Sequence, residues 1–158
     1  MRGILGYLVT LFVVGGVLVM GGNKMARGIR NNNPLNIEHN KNNNWDGASA
    51  VQTDSRFVQF VSPVWGIRAA AKTFKTYSKR GVNTLAGIIS TWAPPEKNGV
   101  FENDTEAYIA SIEKQTGFSR HDYVGVERYP ALIAAMIKHE NGSQPYAMEL
   151  IHEGVSRA

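Results

Sequence analysis

The 158-residue sequence contains no cysteine. This absence excludes a disulfide framework, a thiolate zinc site and a cysteine nucleophile. The four histidines lack metal-ligand spacing, so we predict no metal site and no cofactor. Charged residues make up only 19% of the chain, with a formal net charge of +4. A basic surface favours anionic partners such as cell wall, anionic lipid or nucleic acid, but the sequence has no motif for reading nucleic acid, so no nucleic-acid partner is expected.

Charge is absent altogether from residues 4–20, an apolar run with several glycines. Its length is just sufficient for a helix to cross a bilayer, which takes roughly 20 residues. Gly21-Gly22-Asn23-Lys24 follows and is a poor cleavage site for a signal peptidase. We therefore predict a transmembrane anchor over 1–22, a linker over 23–28 and one domain over 29–158, with the membrane contacted through residues 4–20.

The domain is predicted to be mainly α with a small β-hairpin (α+β). Capping residues and apolar periodicity predict helices over about 64–79, 85–92, 106–116, 130–141 and 146–153. Asn-rich turns and the aromatic and β-branched run 56–61 predict a loop-rich hairpin region over 35–61. Residues 96–103 are predicted to form a loop.

Glu140 is the candidate for chemistry in the helix over 130–141. It lies four residues beyond Met136 and so continues the apolar face of Leu132, Ile133 and Met136. Desolvation and the negative end of the helix dipole should both raise the pKa of its carboxyl group, which is how a general acid is prepared. A partly exposed glutamate at a fraying helix end is the alternative interpretation.

A series of short motifs resembles the lytic transglycosylases and goose-type lysozymes of the lysozyme superfamily. Gly66-Ile67-Arg68-Ala69-Ala70 resembles their glycine-led helix, Ser90-Thr91-Trp92-Ala93-Pro94 their next short helix, and Glu102 to Ile109 their "E-T-x-x-Y-V" segment. Glu140-Asn141-Gly142-Ser143-Gln144-Pro145-Tyr146 resembles the end of the catalytic-glutamate helix, which in that family comes first. The resemblance thus implies a circularly permuted lysozyme-like domain. Arg30 to Ile37 also resembles virion-associated or prophage-encoded wall-degrading proteins of bacteriophages.

The resemblance implies a lytic transglycosylase that cuts peptidoglycan strands between N-acetylmuramic acid and N-acetylglucosamine, with Glu140 as general acid and base. It also implies that Tyr108, which matches the family tyrosine, lies near this acid. Further candidates for substrate binding, chosen as amides and aromatic rings that suit sugars, are Asn36, Trp45, Gln59, Trp92 and Tyr146. The oligomeric state is not predicted.

Several alternatives stay open. A muramidase would need a second carboxylate, for which Glu38, Asp46 and Asp54 are the hairpin candidates. A murein endopeptidase and a non-enzymatic membrane protein of a virion are further possibilities. The weak apolar span resembles the signal-arrest-release segment of some phage endolysins, which implies a location in a virion or host inner membrane with the domain facing the periplasm or cell wall.

Overall fold

A computed structural model of the chain describes residues 25–158. This part forms six α-helices, one short 3-10 helix and one β-hairpin. In chain order the elements are α1 (Arg27–Arg30), α2 (Pro63–Lys79), α3 (Leu85–Trp92), β1 (Glu96–Lys97), β2 (Val100–Phe101), α4 (Thr105–Thr116), the 3-10 helix (Val126–Arg128), α5 (Tyr129–Asn141) and α6 (Met148–Ser156). The described fold is therefore mainly helical, as the sequence predicts, with one small hairpin.

Local capping determines where the helices begin and end. The side chain of Thr84 accepts a hydrogen bond from the Gly87 N–H, and that of Asp104 accepts one from the Ala107 N–H. These bonds satisfy N–H groups that have no partner within α3 and α4. Gly142 ends α5 with a φ of 73°, a left-handed conformation that glycine adopts without steric cost. The five helices predicted from the sequence are confirmed, with ends shifted by at most a few residues.

Helix α5 lies at the centre of the core. Helices α1, α2, α4 and α6 all pack against it. The apolar side chains that fill this contact are fully buried and include Leu132, Ile133, Met136 and Ile137. Burial of each such side chain contributes about 1.5–3 kcal/mol. Because Glu140 follows this face in the last turn of α5, the core fixes the position of its backbone.

The β-hairpin lies elsewhere than predicted. Residues 35–61 form only isolated bridges, such as that of Glu38 with Phe57, rather than paired strands. The two strands β1 and β2 instead pair antiparallel around Asn98 and Gly99, inside the stretch predicted to be a loop. These two residues have φ of 54° and 77°, the left-handed pair that a two-residue hairpin turn requires. The Asn-Gly pair is thus the stronger hairpin signal, and the prediction of a hairpin over 35–61 is wrong.

Side-chain amides take the place of strand pairing in that region. Asn33 is fully buried, and its Nδ2 donates to the carbonyl oxygens of Ile37 (2.9 Å) and Val58 (2.8 Å). Its Oδ1 accepts from the Ile37 N–H at 2.9 Å. Asparagine side chains compete in this way for backbone groups that a regular ladder would otherwise use. The backbone of the loop is therefore satisfied without forming a strand.

Asp54 fastens α1 to the same loop. Its carboxylate accepts two hydrogen bonds from the Arg27 guanidinium, at 2.7 and 2.6 Å, and one from Asn31 Nδ2 at 2.7 Å. The hydrogen bonds from Arg27 are the largest cause that holds the pKa of Asp54 well below its usual range. Because the pKa is depressed in the folded protein, this contribution to stability is present above the pKa of the unfolded chain and is lost as the pH falls.

The prediction of a transmembrane helix in front of the domain, and with it of a membrane-anchored location, needs correction. Among residues 25–158, no helix is both long and apolar enough to cross a bilayer. The longest, α2, has 17 residues and carries Arg68, Lys72, Lys75 and Lys79, whereas a span takes roughly 20 mostly apolar residues. The segment predicted to be the anchor, within 1–22, lies outside the described residues. The boundaries at 22 and 28 stay predictions.

Replacement of Asn33 by alanine should destabilise the fold strongly. The change leaves one N–H and two carbonyl groups of the buried loop without a partner. An unsatisfied buried polar group costs about 1–3 kcal/mol, so we expect Asn33→Ala to lower the free energy of unfolding by roughly 2–4 kcal/mol in urea denaturation. The exposed Asn42 is the matched control, and Asn42→Ala should change that free energy by less than about 0.5 kcal/mol. Equal effects of the two substitutions would contradict the role given to Asn33.

Candidate functional site

Three neutral donors converge on the carboxylate of Glu140. Tyr108 Oη donates to Oε1 at 2.8 Å, and the indole Nε1 of Trp92 donates to the same oxygen at 3.1 Å. Asn36 Nδ2 donates to Oε2 at 2.9 Å. Glu140 is itself partly buried. None of the three hydrogen-bond donors carries a positive charge, so the carboxyl group is held in place without a charge partner among them.

Each donor comes from a different element. Trp92 is the last residue of α3, Tyr108 lies in the first turn of α4, and Asn36 lies in the loop after α1. The edge of the Trp92 ring contacts Phe74 of α2, with ring centroids 5.3 Å apart. Tyr108 is buried. Packing of the helices therefore fixes two of the three donors before any substrate is present.

The third donor, Asn36, depends on an unusual backbone. Its φ is 50°, in the left-handed region, which asparagine tolerates better than most residues. Gly28 of α1 lies directly behind it, where a Cβ would come within 2.9 Å of Asn36 Oδ1 and 2.8 Å of Asn141 Oδ1. Asn141 Nδ2 in turn donates to the carbonyl oxygen of Pro34 at 2.7 Å. The loop is thus held to the end of α5 at Pro34, two residues before the Asn36 amide.

Burial raises the pKa of Glu140 above its ordinary value of 4.5, while the hydrogen bonds from Tyr108, Asn36 and Trp92 act in the opposite direction. The raised pKa agrees in direction with the prediction from the sequence. Desolvation of the carboxyl group outweighs the three hydrogen bonds. Burial also raises the pKa of Tyr108 well above 10, and the nearby Glu140 raises it further. Tyr108 therefore stays a phenol and remains a donor throughout the physiological pH range.

His139 stacks on the ring of Tyr108. The ring centroids lie 3.9 Å apart with an interplanar angle of 16°. Desolvation lowers the pKa of His139, which favours a neutral imidazole at this position. The stack restrains the phenol that donates to Glu140, and the sequence analysis did not single out His139.

The structure brings together four of the seven residues predicted for the site: Glu140, Tyr108, Asn36 and Trp92. Gln59 builds its own loop instead, since its Oε1 accepts from the backbone N–H groups of Thr53 and Asp54. Trp45 and Tyr146 pack against the core with Nε1 and Oη buried and without a partner. None of these last three side chains forms a hydrogen bond with Glu140.

The three candidates for a second carboxylate are all engaged in ion pairs. Glu38 pairs with Arg56 at 2.7 Å and also contacts Lys97. Asp46 pairs with Arg68 at 2.6 Å, and Asp54 pairs with Arg27. Within residues 25–158 no cluster of three or more histidine or carboxylate side chains could hold a metal ion.

Two open clefts flank the hairpin. The larger, of about 510 Å³, lies between the hairpin and the loop that carries Glu38 and Arg56. The smaller, of about 280 Å³, lies at the base of the hairpin and is lined by Ser90, Pro95, Phe101 and residues 103–106. Glu140 lines neither cleft. The smaller cleft lies beside α3 and α4, the two helices that carry Trp92 and Tyr108.

Fold and site together define a class: a mainly helical domain in which a phenol, an indole and an amide hold one partly buried glutamate. No family model matches the chain. Protein P5 of Pseudoalteromonas phage PM2 is 45% identical to it over 135 residues, which cover 84% of this chain and 81% of that protein. The chain belongs to the family of this phage protein.

The hydrogen bond from Tyr108 predicts how the pKa of Glu140 responds to its removal. Tyr108→Phe keeps the ring that stacks on His139 and deletes only the O–H donor. Because this bond stabilises the ionised carboxylate, the pKa of Glu140 should rise above its value in the unaltered protein. The side-chain carboxyl carbon, followed by NMR during a pH titration, reports the shift directly. The exposed Tyr123 provides the control substitution Tyr123→Phe. A pKa of Glu140 that does not rise in Tyr108→Phe would exclude the hydrogen bond from Tyr108 to Glu140.

The raised pKa of Glu140 also predicts a pH dependence of stability. A pKa that is higher in the folded than in the unfolded chain gives a contribution fully present below the unfolded pKa, near 4.5. That contribution is lost as the pH rises through the folded value. Glu140→Gln cannot ionise, so its free energy of unfolding should increase relative to the unaltered protein as the pH rises above about 4.5. Urea denaturation at several pH values measures the difference, and a constant difference would rule out the shift.

Proposed function

We propose that the chain is a peptidoglycan-cleaving lytic transglycosylase of phage or prophage origin, with Glu140 as general acid and base. The observation that carries the proposal is the Glu140 carboxyl group, whose pKa is raised by burial and whose oxygens are oriented by Tyr108, Trp92 and Asn36. A general acid works best when its pKa lies near the operating pH. The proposal also draws on the resemblance of Glu140 to Tyr146, and of Glu102 to Ile109, to segments of the lysozyme superfamily in permuted order.

The carboxyl group of Glu140 keeps one acceptor site that none of its three donors occupies. A carboxyl group offers about four acceptor sites on its two oxygens, and three are taken by the donors. The protonated Glu140 would give its proton to the glycosidic oxygen, and positive charge would develop at the sugar ring as the bond breaks. The carboxylate that remains would be stabilised by the same three hydrogen bonds, which strengthen as the acceptor becomes charged.

The second step distinguishes a transglycosylase from a muramidase. A retaining or inverting hydrolase uses a second carboxylate within about 5–9.5 Å of the first. Glu38, Asp46 and Asp54 are all engaged by cations and none forms a hydrogen bond with Glu140. These contacts favour the reaction in which Glu140 itself takes the proton from the sugar's 6-hydroxyl group, which then closes a 1,6-anhydro ring. Hydrolysis by a muramidase is the alternative.

A non-enzymatic phage protein is the second candidate function. It is supported by the phage origin of the 45% identical relative, and in it Glu140 would serve only to join α3, α4 and the loop to α5. A murein endopeptidase has less support, because the described residues contain no metal cluster and the chain contains no cysteine.

Removal of the acidic proton should abolish activity while the fold survives. In Glu140→Gln the remaining carbonyl oxygen can still accept from Tyr108 and Trp92, whereas the proton donor is lost. Because general acid catalysis contributes about 10²–10⁴-fold, the rate at which purified peptidoglycan loses turbidity should fall about 10³-fold. Glu149→Gln, on the exposed side of α6, is the matched control and should keep the full rate. Digestion by Glu140→Gln at the normal rate would refute the assignment.

Mass spectrometry of the released fragments decides between the candidates. Muramic acid ends in the 1,6-anhydro form identify a transglycosylase, and reducing muramic acid ends identify a muramidase. Free peptides with intact glycan strands identify an endopeptidase. The absence of any released fragment from the folded, unaltered protein supports the non-enzymatic candidate.

A further inference from the structure

The hairpin β1–β2 joins the two elements that donate to Glu140. It leaves α3 just after Trp92 and returns to α4 just before Tyr108. Across the larger cleft it faces Glu38, which is the second residue after Asn36. Two residues of extended chain span at most about 7 Å, so the Glu38 wall of the cleft lies close to the third donor. The cleft of about 510 Å³ therefore has one wall, at Glu38, two residues from a donor to the proposed catalytic carboxyl group, whereas Glu140 itself does not line it.

Four charged groups of both signs line this cleft. Glu38 contacts Lys97 of the hairpin and accepts from Arg56 Nε at 2.8 Å. Arg56 reaches across to Glu102, which follows the hairpin. All four side chains keep between 29% and 49% of their surface exposed. Exposed ion pairs of this kind contribute little to stability. These side chains can therefore leave one another and pair with the charged groups of a ligand at a small cost in free energy.

The hairpin also presents two large apolar side chains to solvent. Val100 is 67% exposed and Phe101 is 71% exposed. Both line the larger cleft, and Phe101 lines the smaller one as well. Burial in the core does not account for either residue. They form an apolar ridge beside a charged cleft, which suits a ligand that carries both charges and aliphatic groups.

We propose that this cleft binds the peptide stem of peptidoglycan, with its carboxylates against Arg56 and Lys97, its amino group against Glu38 or Glu102, and its aliphatic part against Phe101. A glycan strand stripped of its peptides carries only the lactyl carboxylate of each muramic acid, and therefore has no cation to match Glu38 and Glu102. The stem is attached to the muramic acid whose bond the enzyme would cut, and Glu38 of the cleft lies two residues from Asn36, which donates to Glu140. This inference rests on the proposed function and deepens it.

The test compares two substrates: intact peptidoglycan and glycan strands stripped of peptides by an amidase. The variant is Lys97→Gln with Phe101→Ser, which leaves Glu140 and its three donors in place. The matched control is Lys114→Gln with Val51→Ser, an exposed lysine and an exposed apolar residue that do not line the cleft. Thermal unfolding of both checks that the fold is retained.

We expect the unaltered protein to cut the peptide-bearing substrate faster than the stripped one. In the hairpin variant the rate on peptide-bearing substrate should fall about tenfold, which corresponds to about 1.4 kcal/mol of lost binding, while the rate on stripped strands stays unchanged. The control should behave as the unaltered protein does. Equal rates on the two substrates, or an equal loss on both in the hairpin variant, would overturn the proposal.

A binding measurement separates failure of this inference from failure of the proposed function. Free stem peptide is titrated into the unaltered protein, the hairpin variant and Glu140→Gln, with backbone NMR shifts as the readout. We expect saturable shifts at residues 97–102 that persist in Glu140→Gln and vanish in the hairpin variant. Such shifts support binding of the stem peptide in the cleft even if no glycosidic bond is cut. The absence of such shifts refutes binding of the stem peptide in the cleft, whether or not the protein cleaves peptidoglycan.

Discussion

Convergence of three uncharged donors on one carboxyl group is the constraint on which the rest of the structure depends. A phenol, an indole and an amide orient the oxygens of Glu140 but do not neutralise its charge as an arginine would. Desolvation therefore dominates, and the carboxyl group keeps a raised pKa. Had one of the donors been cationic, the same geometry would have produced a permanent ion pair like that of Asp54 with Arg27.

Asp54 and Glu140 show how environment assigns opposite roles to the same functional group. Asp54 accepts from a guanidinium, from Asn31 and from backbone N–H groups, so it stays ionised and holds α1 against the loop. Glu140 has the core of α5 behind it and only neutral partners in front. The ion pair of Asp54 with Arg27 holds the loop that carries Asn36. Glu140 lies where that loop meets the helices.

The helices and the position of Glu140 could be predicted from the sequence, but most of the contacts that surround its carboxyl group could not. Apolar spacing and capping residues are local signals, and they located α2 to α6 and placed Glu140 at the end of a buried face. The roles of Asn33 and Asn141 depend on contacts between distant parts of the chain, and no local pattern distinguishes a buried asparagine from a turn asparagine. Asn98-Gly99 is a different case, since an Asn-Gly pair is a local signal for a hairpin turn and lies inside a stretch predicted to be a loop.

The hydrogen bond between Asn36 and Glu140 spans 104 residues of sequence, and that between Pro34 and Asn141 spans 107. Contacts of such separation carry a large loop-closure cost and slow folding. The amide reaches the carboxyl group only after α5 has been synthesised and the early loop has docked on it. Nascent chains and truncated fragments that lack α5 therefore cannot form this hydrogen bond, so the surroundings of Glu140 are completed only when the whole domain closes.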